Sequence, residues 1–223
     1  MISIMGHQSQ NKQKQKEKCL FFSLLLFFVV VVQEGMSGEG ETTSAAATTK
    51  LSPEEERREL EQAFVDCARY NDLEVLIAAI KEEPELVADA RDGFGNTALH
   101  MGAANGHEEV VRVLLSRKSS VPFSARGADA FQRFLDARNE SGNTALHWAA
   151  QNNRAAVVRM LCEAGARVDI PNAAGKTPLN EANMRAYEDV IVELLKATPD
   201  EVIDREQRLR GAGVCAAPGS TRP

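Results

Sequence analysis

The chain has 223 residues, 43% hydrophobic, 26% charged and 5% aromatic, and its 26 Lys+Arg against 32 Asp+Glu leave a formal charge of −6. That length suits one domain or one and a half, and the composition suits a globular protein. The negative charge and the scarcity of aromatics argue against a basic nucleic-acid footprint and against a base-stacking platform.

Residues 8–18 are rich in Gln and Lys, and Cys19–Val32 then run almost unbroken as CLFFSLLLFFVVVV. These 14 residues fall short of the roughly 20 that a helix needs to cross a membrane. A basic flank before a short apolar run has the form of a secretory signal, although Gly35-Met36-Ser37 and Ala45-Ala46-Ala47 make poor cleavage sites. Another reading is a misassigned start: Phe, Leu and Val codons share a middle U, so the run fits a translated pyrimidine-rich leader ahead of a true start at Met36. A membrane anchor is the remaining alternative and requires the 19–32 run to be translated and retained. Residues 38–50 carry too few large apolar groups to offset the entropy of ordering, so the whole of 1–50 is expected to be leader and disordered segment.

A repeat organises the rest of the chain. Gly95-Asn96-Thr97-Ala98-Leu99-His100 returns as Gly142-Asn143-Thr144-Ala145-Leu146-His147 and, more loosely, as Gly175-Lys176-Thr177-Pro178-Leu179-Asn180. The second interval is 33 residues and the first 47, that is, 33 with 14 inserted. Ahead of these, Phe64, Cys67, Ala68, Asn71, Val75, Leu76 and Ile80 form a weaker copy suited to an end cap. Its first helix is expected to begin after Ser52-Pro53, with Glu54–Glu61.

Within each unit the positions have physical reasons. Thr97, Thr144 and Thr177 can cap helix N-termini with their hydroxyls, and Pro178 suits a first helical turn. Small residues (Gly102, Ala103, Ala149, Ala150, Ala182) let helices approach. Asn71, Gly106 and Asn153 share the position where the chain leaves the first helix in a left-handed conformation; Ala186 takes that place in the last unit at some cost in stability. The second helices carry Val110, Val111 and Leu114, then Val157, Val158 and Leu161, then Val190, Ile191 and Leu194, one face of a helix each time. No unit can bury that face alone, so the units stack into a solenoid.

In the inserted region 116–138, Ala130, Phe131, Phe134 and Leu135 have the spacing of a short extra helix. It is either a tolerated surface insertion or a partner-contacting element. The tail 198–223 is expected to be disordered after Arg210.

These motifs resemble the ankyrin repeat. The strings TALHMGAANGHEEVVRVLL and NESGNTALHWAAQNNRAAVVRMLC, with the weak front unit and the lengthened segment between them, are further similar to the small ankyrin-repeat chaperones of ribosomal protein S3. The resemblance implies an all-α ankyrin solenoid of about four helix pairs with β-turn or hairpin loops, spanning 51–197. It implies a monomeric, non-enzymatic cytoplasmic protein that shuttles to the nucleus, shielding a basic ribosomal client on its concave face. A generic adaptor with an unrelated client is the alternative, as is a membrane-tethered ankyrin protein if residues 19–32 are retained.

The conspicuous side chains carry no catalytic set. His100, His147 and His107 sit at repeat positions where a ring can hydrogen-bond the neighbouring turn. Cys67 and Cys162 read as packed thiols, and the four cysteines, Cys19 and Cys215 included, share no metal-ligand spacing. Glu82-Glu83 and Glu108-Glu109 read as solvated helix faces. No cofactor, metal or direct nucleic-acid contact is expected. Partner contacts are expected from residues that depart from what the scaffold needs: Phe94, Asn96, Ser141, Asn143 and Lys176 at turn tips, and Met101, Asn105, Trp148, Gln151, Asn152, Met184 and Arg185 on first helices. Trp148 is the only tryptophan, a residue type over-represented among interface hot spots.

Overall fold

Ser52 caps the first described helix reciprocally. Its Oγ accepts from the Glu55 N–H at 3.3 Å while the Glu55 carboxylate accepts from the Ser52 N–H at 2.8 Å, satisfying two donors that a helix end leaves without partners. In this computed structural model, which describes residues 52–119, 126–127 and 129–198, helix α1 then runs from Pro53 to Tyr70. It is followed by α2 (Leu73–Glu82) and a four-residue α3 (Leu86–Asp89). The next units contribute α4 (Ala98–Asn105) with α5 (Glu108–Leu115), α7 (Ala145–Gln151) with α8 (Ala155–Glu163), and α9 (Pro178–Arg185) with α10 (Glu188–Ala197). Between α5 and α7 lie a 3-10 turn at Ser116–Ser119 and a short helix α6, Ala130–Leu135. The described residues contain no strand. The leader, the tail beyond 198 and part of the insertion lie outside them.

The first helices form one row, α1 on α4, α4 on α7 and α7 on α9, and the second helices α2, α5, α8 and α10 stack behind them. Val110, Val111, Leu114, Val157, Val158, Leu161, Val190 and Leu194 are all buried between the rows. Gly102 is small for a reason: a Cβ there would stand 3.1 Å from Val110 Cγ1 and 3.3 Å from Val111 Cγ2. The left-handed exits fall where the repeat puts them, at Asn71 (φ 63°), Gly106 (77°), Asn153 (57°) and Ala186 (54°). Of these four, Ala186 alone is neither glycine nor a residue whose side chain favours this region.

The turns repeat one hydrogen-bond pattern. Asp92 N–H donates to Asn96 O, Asn139 N–H to Asn143 O and Asn172 N–H to Lys176 O, at 2.9, 3.0 and 2.9 Å. Neighbouring turns are tied by Glu140 N–H to Phe94 O (3.1 Å) and Ala173 N–H to Ser141 O (3.0 Å). The inserted helix α6 forms as its spacing predicts and turns Ala130, Phe131, Phe134 and Leu135 into the core. Gln132 Nε2 donates to Gly165 O at 2.9 Å, and the Asp136 carboxylate accepts from Arg167 N–H at 3.0 Å. These bonds brace α6 against the loop after α8. A second brace reaches the first unit, where Arg126 pairs with Asp89 at 2.5 Å and with Glu85. The short α3 is not foreshadowed by the repeat pattern; Leu86 and Val87 bury there and close the first unit.

Candidate functional site

The site is built on the turn tips and the row of first helices. Thr97 Oγ1 accepts from His100 N–H at 3.3 Å, and His100 Nδ1 accepts from Thr97 N–H at 3.2 Å. A backbone N–H can only donate, so Nδ1 is an acceptor and the proton sits on Nε2. That nitrogen donates to Asn143 O in the next turn at 3.0 Å. His147 repeats the arrangement, with Thr144 N–H on its Nδ1 (3.1 Å) and its Nε2 donating to Lys176 O (3.0 Å). The imidazole thus caps its own helix and hangs the following turn from it. Burial holds both rings neutral, His100 with its pKa depressed to about 4 and His147 also below its ordinary value. His107 does related work, its Nε2 donating to Arg69 O at 3.0 Å.

A second ladder runs through side chains. Asn96 Nδ2 donates to both oxygens of Asp92 (3.1 and 3.0 Å), Asn139 Nδ2 donates to Asn96 Oδ1 (2.8 Å), and Asn172 Nδ2 to Asn143 Oδ1 (2.9 Å). Asn96 and Asn143 are only 5% and 8% exposed. Both are struts between turns: the Asn96 amide is bonded at both ends, and Asn143 Oδ1 is taken by Asn172. Lys176 holds the same repeat position but has no side-chain carbonyl with which to continue this ladder, which ends there.

The turns and helices enclose a groove of about 520 Å³ lined by Arg69, Phe94, Asn96, Met101, Ala104, Asn105, Asn139, Glu140, Ser141, Trp148 and Asn152. Seven of the twelve expected contact residues meet here, whereas Asn143, Gln151, Lys176, Met184 and Arg185 do not line it. Met184 is 65% exposed farther along the row, and Arg185 is held by Glu181 at 2.6 Å. Met101 is 7% exposed and lies at the floor, where its sulfur accepts from Arg69 Nε at 3.3 Å. Phe94 is 70% exposed at the rim. Trp148 is half-buried, and its Nε1–H is enclosed without a hydrogen-bond partner.

Arg69 and Glu140 are not among the contact residues expected from the sequence. Arg69 could have been found, because it holds the repeat position of Gln151 and Met184, counted back from Asn71 as those are from Asn153 and Ala186. Its guanidinium reaches Asp66 at 3.1 Å and Asp92 at 3.2 Å. The helix α6 lines no part of the groove. Cys67 is buried, and burial pushes the half-buried Cys162 thiol up to about 11, which leaves it a poor nucleophile. No group of three or more His, Cys, Asp or Glu among the described residues is placed to hold a metal ion.

A model of ankyrin repeats, three copies, matches residues 51–171 and 123–204. The chain belongs to the ankyrin-repeat family. Among solved structures it is similar to a chain of the crystal structure of the yeast ribosomal protein Rps3 in complex with its chaperone Yar1. That match has 34% identity and a TM-score of 0.58, and it covers 63% of this chain and 94% of that chain. The ankyrin scaffold is widely shared, with 434 solved chains matching, so fold alone names no partner. No curated protein matches. The solenoid of helix pairs is a protein-interaction module, and the similar yeast chain comes from a complex of a ribosomal protein with its chaperone.

Proposed function

We propose that this ankyrin-repeat protein is a dedicated, non-enzymatic chaperone that shields a basic ribosomal protein, ribosomal protein S3 of its own organism. It works in the cytoplasm and accompanies its client to the nucleus. The observation that carries this is the groove, in which exposed Phe94 and half-buried Trp148 converge on Arg69 and Glu140 between turns braced by the histidine and asparagine ladders. Similarity to the Rps3–Yar1 complex over almost the whole of the matched chain supports the choice of client.

The electrostatics favour a basic client in a particular way. Among the charged side chains of the described residues, only Arg69 and Glu140 line the groove, so the groove floor is not the source of the negative potential. The excess charge lies on the first unit, where Glu54, Glu55, Glu56, Glu59, Glu74, Glu82 and Glu83 are exposed. Such a flank speeds encounter with a basic protein more than it fixes affinity. Affinity then comes from the aromatic groups and the bonds made in the groove.

The test is calorimetric titration of the full chain with ribosomal protein S3 of the same organism. Tight one-to-one binding at moderate salt is expected, weakened by Phe94→Ala. Absence of binding by the folded protein would refute the client and leave an ankyrin adaptor of different partner.

A further inference from the structure

We infer that the groove seats one arginine side chain of the client, laid against Phe94 and Trp148 and neutralised by Glu140; this rests on the protein-binding reading above. The charges come first. Each nitrogen of Arg69 already has a partner, with Asp66 and Asp92 on its terminal nitrogens and the Met101 sulfur on its Nε. Glu140, at the mouth, is exposed and forms no ion pair among the described residues. Its N–H is fixed to Phe94 O at 3.1 Å, and its Cγ lies 3.6 Å from where a Cβ on Gly95 would stand. The uncompensated charge of the groove is therefore negative and sits beside the Phe94 turn.

The hydrogen-bonding groups point to the same ligand. Asn105 Nδ2 donates to Met101 O at 3.0 Å and Asn152 Nδ2 to Trp148 O at 2.8 Å, which leaves each Oδ1 as an acceptor. Two amide oxygens and a carboxylate beside two aromatic side chains call for a flat cation rich in N–H groups. Guanidinium offers five donors in a plane and stacks on aromatic faces, whereas a compact ammonium cannot lie flat on a ring while reaching several acceptors.

The scaffold does not need this combination. The position of Phe94 is Ser141 and Ala174 in the following units. That of Glu140 is Gly93 and Ala173, and that of Trp148 is Met101 and Glu181. Aromatic, acid and tryptophan come together only between the second and third units, where the groove lies.

Because Trp148 is the sole tryptophan, the full chain gives a single indole N–H signal in a proton–nitrogen correlation spectrum. The probes are two blocked pentapeptides of glycine, one with arginine at its centre and one with citrulline, its neutral isostere. The arginine peptide is expected to shift the indole signal saturably, binding about tenfold more tightly than the citrulline peptide, a difference of about 1.4 kcal/mol. Glu140→Gln, at an exposed tip and neutral for folding, is expected to bring the arginine peptide down to the citrulline level. Equal response to the two peptides, or indifference to Glu140→Gln, overturns the proposal. Calorimetry with ribosomal protein S3 separates this from the broader reading. If S3 binds wild type, Glu140→Gln and Phe94→Ala alike, the arginine seat is refuted and the client stands. If S3 does not bind while the arginine peptide behaves as expected, the seat stands and the client is refuted.

Discussion

Gly142 and Gly175 hold the same place in successive turns, both at φ +72°, yet a methyl group added to each would meet very different surroundings. Alanine at either position incurs the left-handed penalty, about 1 kcal/mol, and both replacements change the unfolded chain equally. At Gly175 a Cβ meets nothing within 4 Å, so the effect is that penalty less the freedom the unfolded chain loses. At Gly142 the Cβ would stand 2.7 Å from Ala173 N and 3.2 Å from Asn172 C. These are backbone atoms and cannot swing aside as a side chain would. Relief requires the two turns to part, at the expense of the Ala173 N–H to Ser141 O bond and the Asn172 to Asn143 amide bond. Each such bond contributes about 1 kcal/mol net. Gly142→Ala is therefore expected to cost about 2.5 kcal/mol and Gly175→Ala about 0.5 kcal/mol. Urea unfolding followed by helical circular dichroism measures both, provided the dependence on denaturant is the same for the two variants. Equal losses would refute the argument that turn-to-turn contact, rather than conformation alone, demands glycine at position 142.

Burial of neutral His100, with its pKa lowered from 6.5 to about 4, makes the unfolded chain the better proton binder between those values. Stability should therefore fall by about 3 kcal/mol as pH drops through that window and level off below it. His147 adds in the same direction. Comparing unfolding midpoints at pH 7 and pH 5 should show a shallower slope in His100→Gln, and an unchanged slope would sink the assignment. Ala186→Gly relieves the one left-handed exit held by a residue ill suited to it and should raise stability by about 0.5 kcal/mol, less than the strain itself because the unfolded chain gains freedom. A drop in melting temperature would contradict this. Asn96→Ala, which breaks the buried ladder, should cost about 2 kcal/mol, whereas Phe94→Ala at its exposed tip should cost less than about 0.5 kcal/mol; the reverse order in thermal melts would undo the reading of Asn96 as a strut. Trp148→Ala is expected to weaken S3 binding by at least about 2 kcal/mol if the indole is a hot spot, read by calorimetry. A lower melting temperature with unchanged binding would instead mark it as packing.

The exits at Asn71, Gly106, Asn153 and Ala186, the caps at Thr97 and Thr177, the apolar faces of the second helices and the inserted helix at Ala130–Leu135 could all be read from the residues alone. Each depends on neighbours within a few positions, and a repeat presents the same surroundings several times over, so a single pattern gives local conformation, core and stacking together. The division between strut and contact residue could not be read in this way. Asn96 and Phe94 are two positions apart in one turn, yet Asn96 is bound to Asn139 in the next unit, while Phe94 offers its ring to solvent. The groove likewise needed Arg69, Phe94, Glu140 and Trp148 to be drawn from three units. His100 shows both sides: its spacing from Thr97 announces a local contact, but its bond to Asn143 O spans 43 residues. The sequence by itself determined what each unit becomes, because a helix and its cap are governed by spacing along the chain. Only the tertiary structure decided which side chains remain free to meet a partner, because that depends on what the adjacent unit has already bound.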